Sequence, residues 1–281
     1  MKHHNNVFLS VKDFLVTGEV FDLVYNKELD FLQTSPMPSP ENLSKYYESE
    51  DYISHTDENK GIISVLYQCV KKWSLSQKTD LITKRNGAKG SLLDVGAGTG
   101  DFLNAAKRKG WGVEGMEPNK NASELASKKG INLKPSLGHF EGRQFDVITL
   151  WHVLEHIPNL EETILQLSKL VKPDGVLIIA VPNYKSYDAR HYGKFWAAYD
   201  VPRHLWHFSK NSIESLFQEN FTLEITKPMI FDSFYISLLS EKYKNGSNFS
   251  LQAIFIGLLS NLKALRSKEY SSHIYCFKKT A

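Results

Sequence analysis

Between Ser91 and Val181 the chain alternates short apolar runs with amphipathic stretches, and nothing else in the sequence constrains the fold as much. Ser91–Val95, Trp111–Met116, Phe145–Leu150 and Val176–Val181 read as strands. Residues 101–109 and 121–129 read as helices, closed by Gly110 and Gly130. Asn159, with Glu162 three residues on, predicts a capped helix before the turn Pro173-Asp174-Gly175. The run Val176–Val181 is so apolar that both its faces must be buried. This rhythm predicts an α/β fold, a doubly wound and mostly parallel sheet with helices on both faces. Such sheets bind ligands at the carboxyl ends of their strands. The residues just after Val95, Met116, Leu150 and Val181 therefore carry the most functional weight.

The flanks are less regular. Asp13–Val16 and Val20–Tyr25, with Thr17-Gly18 between them, predict a hairpin. The run Ser35-Pro36-Met37-Pro38-Ser39-Pro40 breaks regular structure. Residues 1–60 thus read as a small β-rich N-terminal extension and 61–281 as the main domain, opening with a helix through Ile63, Leu66, Tyr67, Val70 and Trp73. Downstream, Ser209–Glu219 reads as a helix, and Phe221–Ile225 and Ser272–Phe277 as strands. Leu251, Ile254, Phe255, Leu258, Leu259, Leu262 and Leu265 line one helical face, expected to pack on the sheet or over the site. Basic Lys263, Arg266 and Lys268 leave membrane-surface contact through 251–266 as a lesser alternative.

Composition excludes several classes. Two cysteines, Cys69 and Cys276, make neither a disulfide framework nor a cysteine-rich metal site, and they fit a reducing compartment. A net charge of +3 is too small to argue for nucleic acid. Residues 1–60 hold five Lys and eleven Asp or Glu, a net −6, so the remainder carries +9; solvated faces account for this. With no signal-like or membrane-spanning run, the expected location is cytoplasmic.

The sharpest chemical signal is Asp94-Val95-Gly96-Ala97-Gly98-Thr99-Gly100, between a strand and a helix, with Glu117 ending the next strand. Alternate glycines let the chain turn tightly and let a ligand approach the backbone. A dinucleotide loop would place a third glycine at position 101, where this chain has Asp101. A carboxylate at a helix N-terminus opposes a pyrophosphate there. S-adenosylmethionine, cationic at sulfur and nitrogen and without phosphate, suits the loop better.

The stretch from about Leu92 to Phe277 resembles class I S-adenosylmethionine-dependent methyltransferases, in the branch that includes the ubiquinone-biosynthesis O-methyltransferases. LLDVGAGTGDFL (92–103), VEGMEPN (113–119), FDVITLWHVLEHI (145–157), LVKPDGVLIIAVPN (170–183) and PRHLWHFS (202–209) carry the resemblance. It implies a seven-stranded sheet in the order 3-2-1-4-5-7-6 with the last strand antiparallel. It implies Asp94, Gly96, Ala97, Gly98 and Gly100 under the cofactor, Glu117 on its ribose hydroxyls with Pro118 alongside, and Trp151 and His152 flanking it. The first sixty residues resemble the front end of a subgroup with a cysteine-ligated metal knuckle, but Val11, Tyr25 and Glu28 stand where its cysteines would be. No metal is expected.

Bland readings stand beside these. Asp94 could merely cap the glycine turn, and Glu117 could be an exposed acid before a helix. Glu155 and His156 suggest acid–base work, yet a structural or cofactor-side role is favoured. Arg203, His204, Trp206 and His207 read equally as a loop entering a helix or as the acceptor pocket. Tyr184, Tyr187, His191, Tyr192, Trp196 and Tyr199 crowd the same loop and suggest a lid or an aromatic pocket. The expected product is S-adenosylhomocysteine and the expected partner a small-molecule methyl acceptor. Tyr52 and His55 are expected beside the cofactor, under a lid shared with the loop from Asn183 to His207. His204 or His207 would serve as base, and Arg203 would bind an anionic group. A catalytically silent cofactor-binding protein and a nicotinamide-dependent oxidoreductase are the rival readings.

Overall fold

Val7–Lys12 (β1), Val20–Asn26 (β2) and Phe31–Ser35 (β3) pair antiparallel, in that order. The computed structural model describes residues 6–39, 42, 44–47, 62–246 and 250–280, with residues 44 and 62–69 described by backbone alone. The first hairpin strand lies earlier than the sequence suggests. Residues 13–16 form the turn instead, because the Asp13 carboxylate accepts the amides of Leu15, Val16 and Thr17 at 3.1, 3.3 and 2.8 Å.

The long helix Ile62–Asn86 (α1) leads into the main sheet. There follow Ser91–Val95 (β4), Asp101–Arg108 (α2), Gly112–Met116 (β5), Lys120–Ser127 (α3) and Leu133–Lys134 (β6). Next come Phe145–Trp151 (β7), Leu160–Leu170 (α4), Val171–Pro182 (β8), Tyr187–Tyr192 (α5) and the short strand Trp206–His207 (β9). Lys210–Phe217 (α6), Phe221–Pro228 (β10), Asp232–Asn245 (α7), Leu251–Ser267 (α8) and Ser272–Lys279 (β11) complete the order.

Seven strands form one sheet in the order β10-β11-β8-β7-β4-β5-β6. β11 alone runs against the common direction of the other six strands. Numbered by appearance within this sheet, the strands read 3-2-1-4-5-7-6 from the β6 edge, as the resemblance implies. Val176–Val181 at its centre is fully buried on both faces. One face packs Leu160, Ile164 and Leu167 of α4 and Ile213 and Phe217 of α6; the other packs Leu81 and Ile82 of α1 and Phe102 and Leu103 of α2.

Three features depart from expectation. First, β9 is the fourth strand of the small N-terminal sheet: Leu32 faces His207 and Gln33 faces Trp206. The extension is therefore stitched into the main domain. Second, most of the aromatic residues of the 184–199 loop form no lid. Tyr184, Tyr192, Trp196 and Tyr199 are buried with Val11, Phe21, Leu23 and Leu32 in the core between the small sheet and this loop. His191 is exposed. Third, α8 is turned over. Leu251, Phe255, Leu262 and Leu265 are exposed, at 75%, 61%, 53% and 60%, while Ala253, Ile256, Gly257, Ser260 and Ala264 face inward. Small residues let α8 approach α7 closely: a Cβ on Gly257 would lie 3.0 Å from Phe234 Cα. Ser260 also hydrogen-bonds buried Asp188 at 2.7 Å. Among the described residues no helix is long and apolar enough to cross a membrane.

Candidate functional site

At the end of β4 the chain turns through Gly96, whose amide, like that of Ala97, donates to Met116 O at 2.8 and 2.9 Å. This pins the loop to the end of β5. Gly96 has φ +70°, and a Cβ there would lie 2.4 Å from Val153 Cγ2. Its glycine is demanded by the protein itself. Gly98 differs: φ is +53°, and a Cβ there would meet nothing within 4 Å. The backbone at Gly98 borders open space, as a ligand floor must. Glu117 lies at the edge of that floor. Its Oε2 accepts the Gly98 amide at 2.8 Å and its Oε1 the Asn119 amide at 2.9 Å.

Asp94 is buried and accepts the Thr149 hydroxyl at 2.6 Å. Burial, with Glu117 nearby, pushes its carboxyl up to about 7, against the pull of Thr149 and Lys78. Lys78 of α1 holds its ammonium 4.4 Å from the centre of the Trp151 ring. Trp151 meets Phe102 edge-on at 5.5 Å, and its buried Nε1 has no hydrogen-bond partner among the described residues. Asp101 is not aimed at a ligand. It pairs with Lys71 at 2.8 Å and Lys129 at 2.5 Å, so the charge argument against a phosphate loses most of its force.

His152 follows the end of β7 in the left-handed conformation, φ +56°. Its Nε2 faces Asp232 Oδ2 at 3.2 Å and its Nδ1 faces Glu155 Oε1 at 3.5 Å. Burial opposes its charge, but the bonds to Asp232 and Glu155 prevail and raise it to about 9. It is an imidazolium at neutral pH. Glu155, on the turn Leu154–His156, is 1% exposed. Burial works against its charge, yet His152, His204 and His156 hold its carboxyl below the usual range.

The predicted acceptor-side residues fall out unequally. Arg203 is 1% exposed and donates to Asp13 Oδ1 at 3.0 Å, to Asp200 Oδ1 at 2.7 Å and to the Tyr46 carbonyl at 3.0 Å. Its donors serve the join between the small sheet and the main domain, which corrects the expectation that it binds an anionic ligand. His207 is buried, with Nε2 3.0 Å from Thr34 Oγ1. The Thr34 hydroxyl donates to the His204 carbonyl at 2.6 Å, so His207 Nε2 must donate to Thr34. Burial and the nearby His204 hold His207 well below the usual histidine value. His204 is half-buried, and its ring meets His156 edge-on at 4.5 Å. With Pro182, Tyr184, Trp196, Trp206 and His207 it lines a tight crevice with no room for a water molecule. Tyr52 and His55 lie outside the described residues.

A family model described as a methyltransferase domain matches residues 71–225, more than half of the chain. The chain belongs to this methyltransferase family. The methyltransferase is similar to the ubiquinone biosynthesis O-methyltransferase of Vibrio cholerae, 27% identical over 171 residues, 56% of this chain and 68% of that protein. It is also similar to the mitochondrial ubiquinone biosynthesis O-methyltransferase of Schizosaccharomyces pombe, 32% identical over 130 residues, 42% of this chain and 47% of that protein. The matched segments thus span between about half and two thirds of these relatives' length. In fold it matches Burkholderia thailandensis 1,6-didemethyltoxoflavin-N1-methyltransferase with TM-score 0.53 at 14% identity, covering 93% of this chain and 96% of that one.

The methyltransferase's strand ends fit S-adenosylmethionine as its cofactor. A Cβ at Gly98 would meet no atom within 4 Å, so a ligand can approach the backbone there, and the orphaned Trp151 Nε1 offers a donor. Each Glu117 oxygen accepts only one backbone amide, leaving lone pairs for ribose hydroxyls. Lys78 and Asp232 were not foreseen. Lys78 lies on a helix whose pattern shows only burial, and Asp232 starts α7, which the sequence reading did not find.

Proposed function

We propose that this methyltransferase moves the methyl group of S-adenosylmethionine to an oxygen of a small-molecule acceptor. The observation that carries the reading is the open floor at Gly98 with Glu117 at its edge, in a chain of this family. Bound there, S-adenosylmethionine supplies a methyl group on a cationic sulfur. Gly96, Ala97, Gly98 and Gly100 would form the floor, Glu117 would hold the ribose hydroxyls beside Pro118, and Trp151 would donate from its indole. Asp94, tied to Thr149, fixes the root of the loop. His152, charged and held by Asp232 and Glu155, has no lone pair to act as base.

The acceptor side falls to His204. Its Nδ1 faces the Ala198 carbonyl at 2.8 Å, and a carbonyl only accepts, so Nδ1 carries the proton and Nε2 the lone pair. That nitrogen can accept the hydrogen bond of an acceptor hydroxyl and then its proton. The names of the two curated relatives favour oxygen as the methylated atom. The low cysteine content supports a cytoplasmic location. Calorimetric titration with S-adenosylmethionine, S-adenosylhomocysteine and NAD tests the reading. Binding of the first two and none of the third is expected; NAD binding alone refutes it, and turnover on an acceptor separates an enzyme from a silent binding protein.

The outward apolar stripe of α8, close to Lys263, Arg266 and Lys268, favours a second reading, contact with a membrane surface. Co-sedimentation with anionic vesicles, lost in Leu258→Glu, tests it; equal sedimentation of the variant refutes it.

A further inference from the structure

The Lys78 ammonium lies over the Trp151 ring, 4.4 Å from its centre, and among the described residues it has no hydrogen bond and no ion pair. We propose that this ammonium holds the place of the sulfonium of S-adenosylmethionine, and that the face of the Trp151 ring tells the charged cofactor from the product, which is neutral at sulfur. The inference rests on the methyl-transfer reading of the strand ends.

Three observations carry it. The first is the position of the ring. β4 and β7 are parallel neighbours, with Val95 beside Leu150, so the glycine loop and Trp151 leave the sheet side by side. Ala97 of that loop packs against the same apolar cluster as Trp151, and the Gly96 backbone lies against the Val153 side chain, two residues on. The second is that the ring is braced: Phe102 meets it edge-on at 5.5 Å. The third is that Lys78 is a poor permanent occupant. An ammonium has three N–H donors, and here none finds an acceptor among the described residues. Burial pulls the Lys78 pKa below the usual lysine value, against the attraction of Asp94 and Asp232. A sulfonium carries its charge on three carbon substituents and has no donor to satisfy. It loses no hydrogen bond on an aromatic face, which is how such faces bind quaternary ammonium groups.

The charges follow the reaction. Asp94 and Asp232 attract a cation to this spot, while His152 is already matched by Asp232 and Glu155. The side chain of Lys78 is half-buried and carried on a flexible four-carbon stem, so it can swing aside as the sulfonium arrives. Methyl transfer breaks the bond from sulfur to the methyl carbon, and the electron pair of that bond stays on sulfur. The acceptor oxygen gains the methyl and gives up its proton. The ring is then without a cation, and the returning Lys78 ammonium promotes release of S-adenosylhomocysteine.

Calorimetry on the full chain compares S-adenosylmethionine, S-adenosylhomocysteine and sinefungin, whose amine carries the charge in place of the methylated sulfur. Trp151→Phe and Trp151→Leu both lose the indole N–H, so the difference between them isolates the ring face. Trp151→Leu should bind S-adenosylmethionine and sinefungin about threefold to thirtyfold more weakly than Trp151→Phe, and S-adenosylhomocysteine within about twofold of it. Lys78→Met should tighten S-adenosylmethionine about fivefold and leave S-adenosylhomocysteine within about twofold of wild type. An unfolded fraction lowers the stoichiometry and not the ratio of affinities, so each variant is its own control; if the Trp151 variants do not fold, Lys78→Met decides alone. Equal losses for all three ligands in Trp151→Leu, or weaker binding of S-adenosylmethionine and S-adenosylhomocysteine alike in Lys78→Met, overturns the assignment while leaving the methyl-transfer reading intact. A wild-type chain that binds neither ligand overturns that reading, and this inference with it.

Discussion

Replacing Gly98 by alanine should separate folding from cofactor binding, and Gly96 supplies the contrast. At Gly98 the new methyl meets nothing within 4 Å, so the cost to the fold is only that of a left-handed backbone at φ +53°. That penalty is about 1–2 kcal/mol, a fall in Tm of about 2–8 °C for a chain of this size. The same methyl enters the volume assigned to the cofactor. Overpacking costs about 1–3 kcal/mol, so the Kd for S-adenosylhomocysteine should rise about tenfold to a hundredfold. At Gly96 the methyl lies 2.4 Å from Val153 Cγ2, under the contact limit, and φ is +70°. Gly96→Ala carries the backbone penalty and a clash together, about 3 kcal/mol or more. Differential scanning fluorimetry should therefore rank wild type above Gly98→Ala above Gly96→Ala. Calorimetry should show Gly98→Ala folded but weak. If Gly98→Ala binds S-adenosylhomocysteine within about twofold of wild type, the open space over Gly98 is not the cofactor site.

Glu117→Ala should weaken S-adenosylmethionine about tenfold to a hundredfold, through lost charge-assisted bonds of about 1.5–3 kcal/mol, with an unchanged circular dichroism spectrum; equal calorimetric affinity would leave Glu117 a loop clamp only. Arg203→Met should cost about 3–5 kcal/mol in urea unfolding, because Asp13 is then buried without its partner, and Asp13→Asn added to it should recover part of that loss. Asp146 supplies a pH test: despite partial burial, Lys172 and the Ser91 amide and hydroxyl hold its carboxyl at about 2, below the reference 3.8. Its stabilisation is thus complete above the unfolded value and disappears as pH falls toward 2. Asp146→Asn should be about 2 kcal/mol less stable at neutral pH, a gap that closes in acid; a gap independent of pH would refute the ionic origin.

The central sheet was legible because its signals are local. Val176–Val181 is apolar at every position, and Gly110 and Gly130 stand within three residues of the ends of α2 and α3. What stayed hidden depends on distant partners or on close approach. β3 is a five-residue run whose neighbour β9 comes more than 170 residues later. Arg203 occupies a loop where a ligand-binding cation is plausible, yet Asp13, 190 positions away, claims it. For α8 the rule that large apolar residues turn inward fails, because Gly257 and Ser260 permit a helix contact that leucines would hold apart. At the site, the glycine loop and Glu117 were readable from strand ends alone. The meeting of Glu155, His156 and His204 was not, since neither motif carries a mark of the other.

The stitching of β9 and β11 also sets the smallest piece of this protein worth expressing. The segment that the family model recognises stops at Ile225, inside β10, and starts at Lys71, inside α1. Cut there, β10 would face an empty lane where β11 belongs, next to β8. Trp206 and His207 would form an unpaired edge, and the Arg203 guanidinium would lose both Asp13 and the Tyr46 carbonyl. The recognisable unit is thus smaller than the folding unit. Chimeras that exchange acceptor specificity between relatives must carry the front sheet along with the PRHLWH segment, because that segment is woven into both layers.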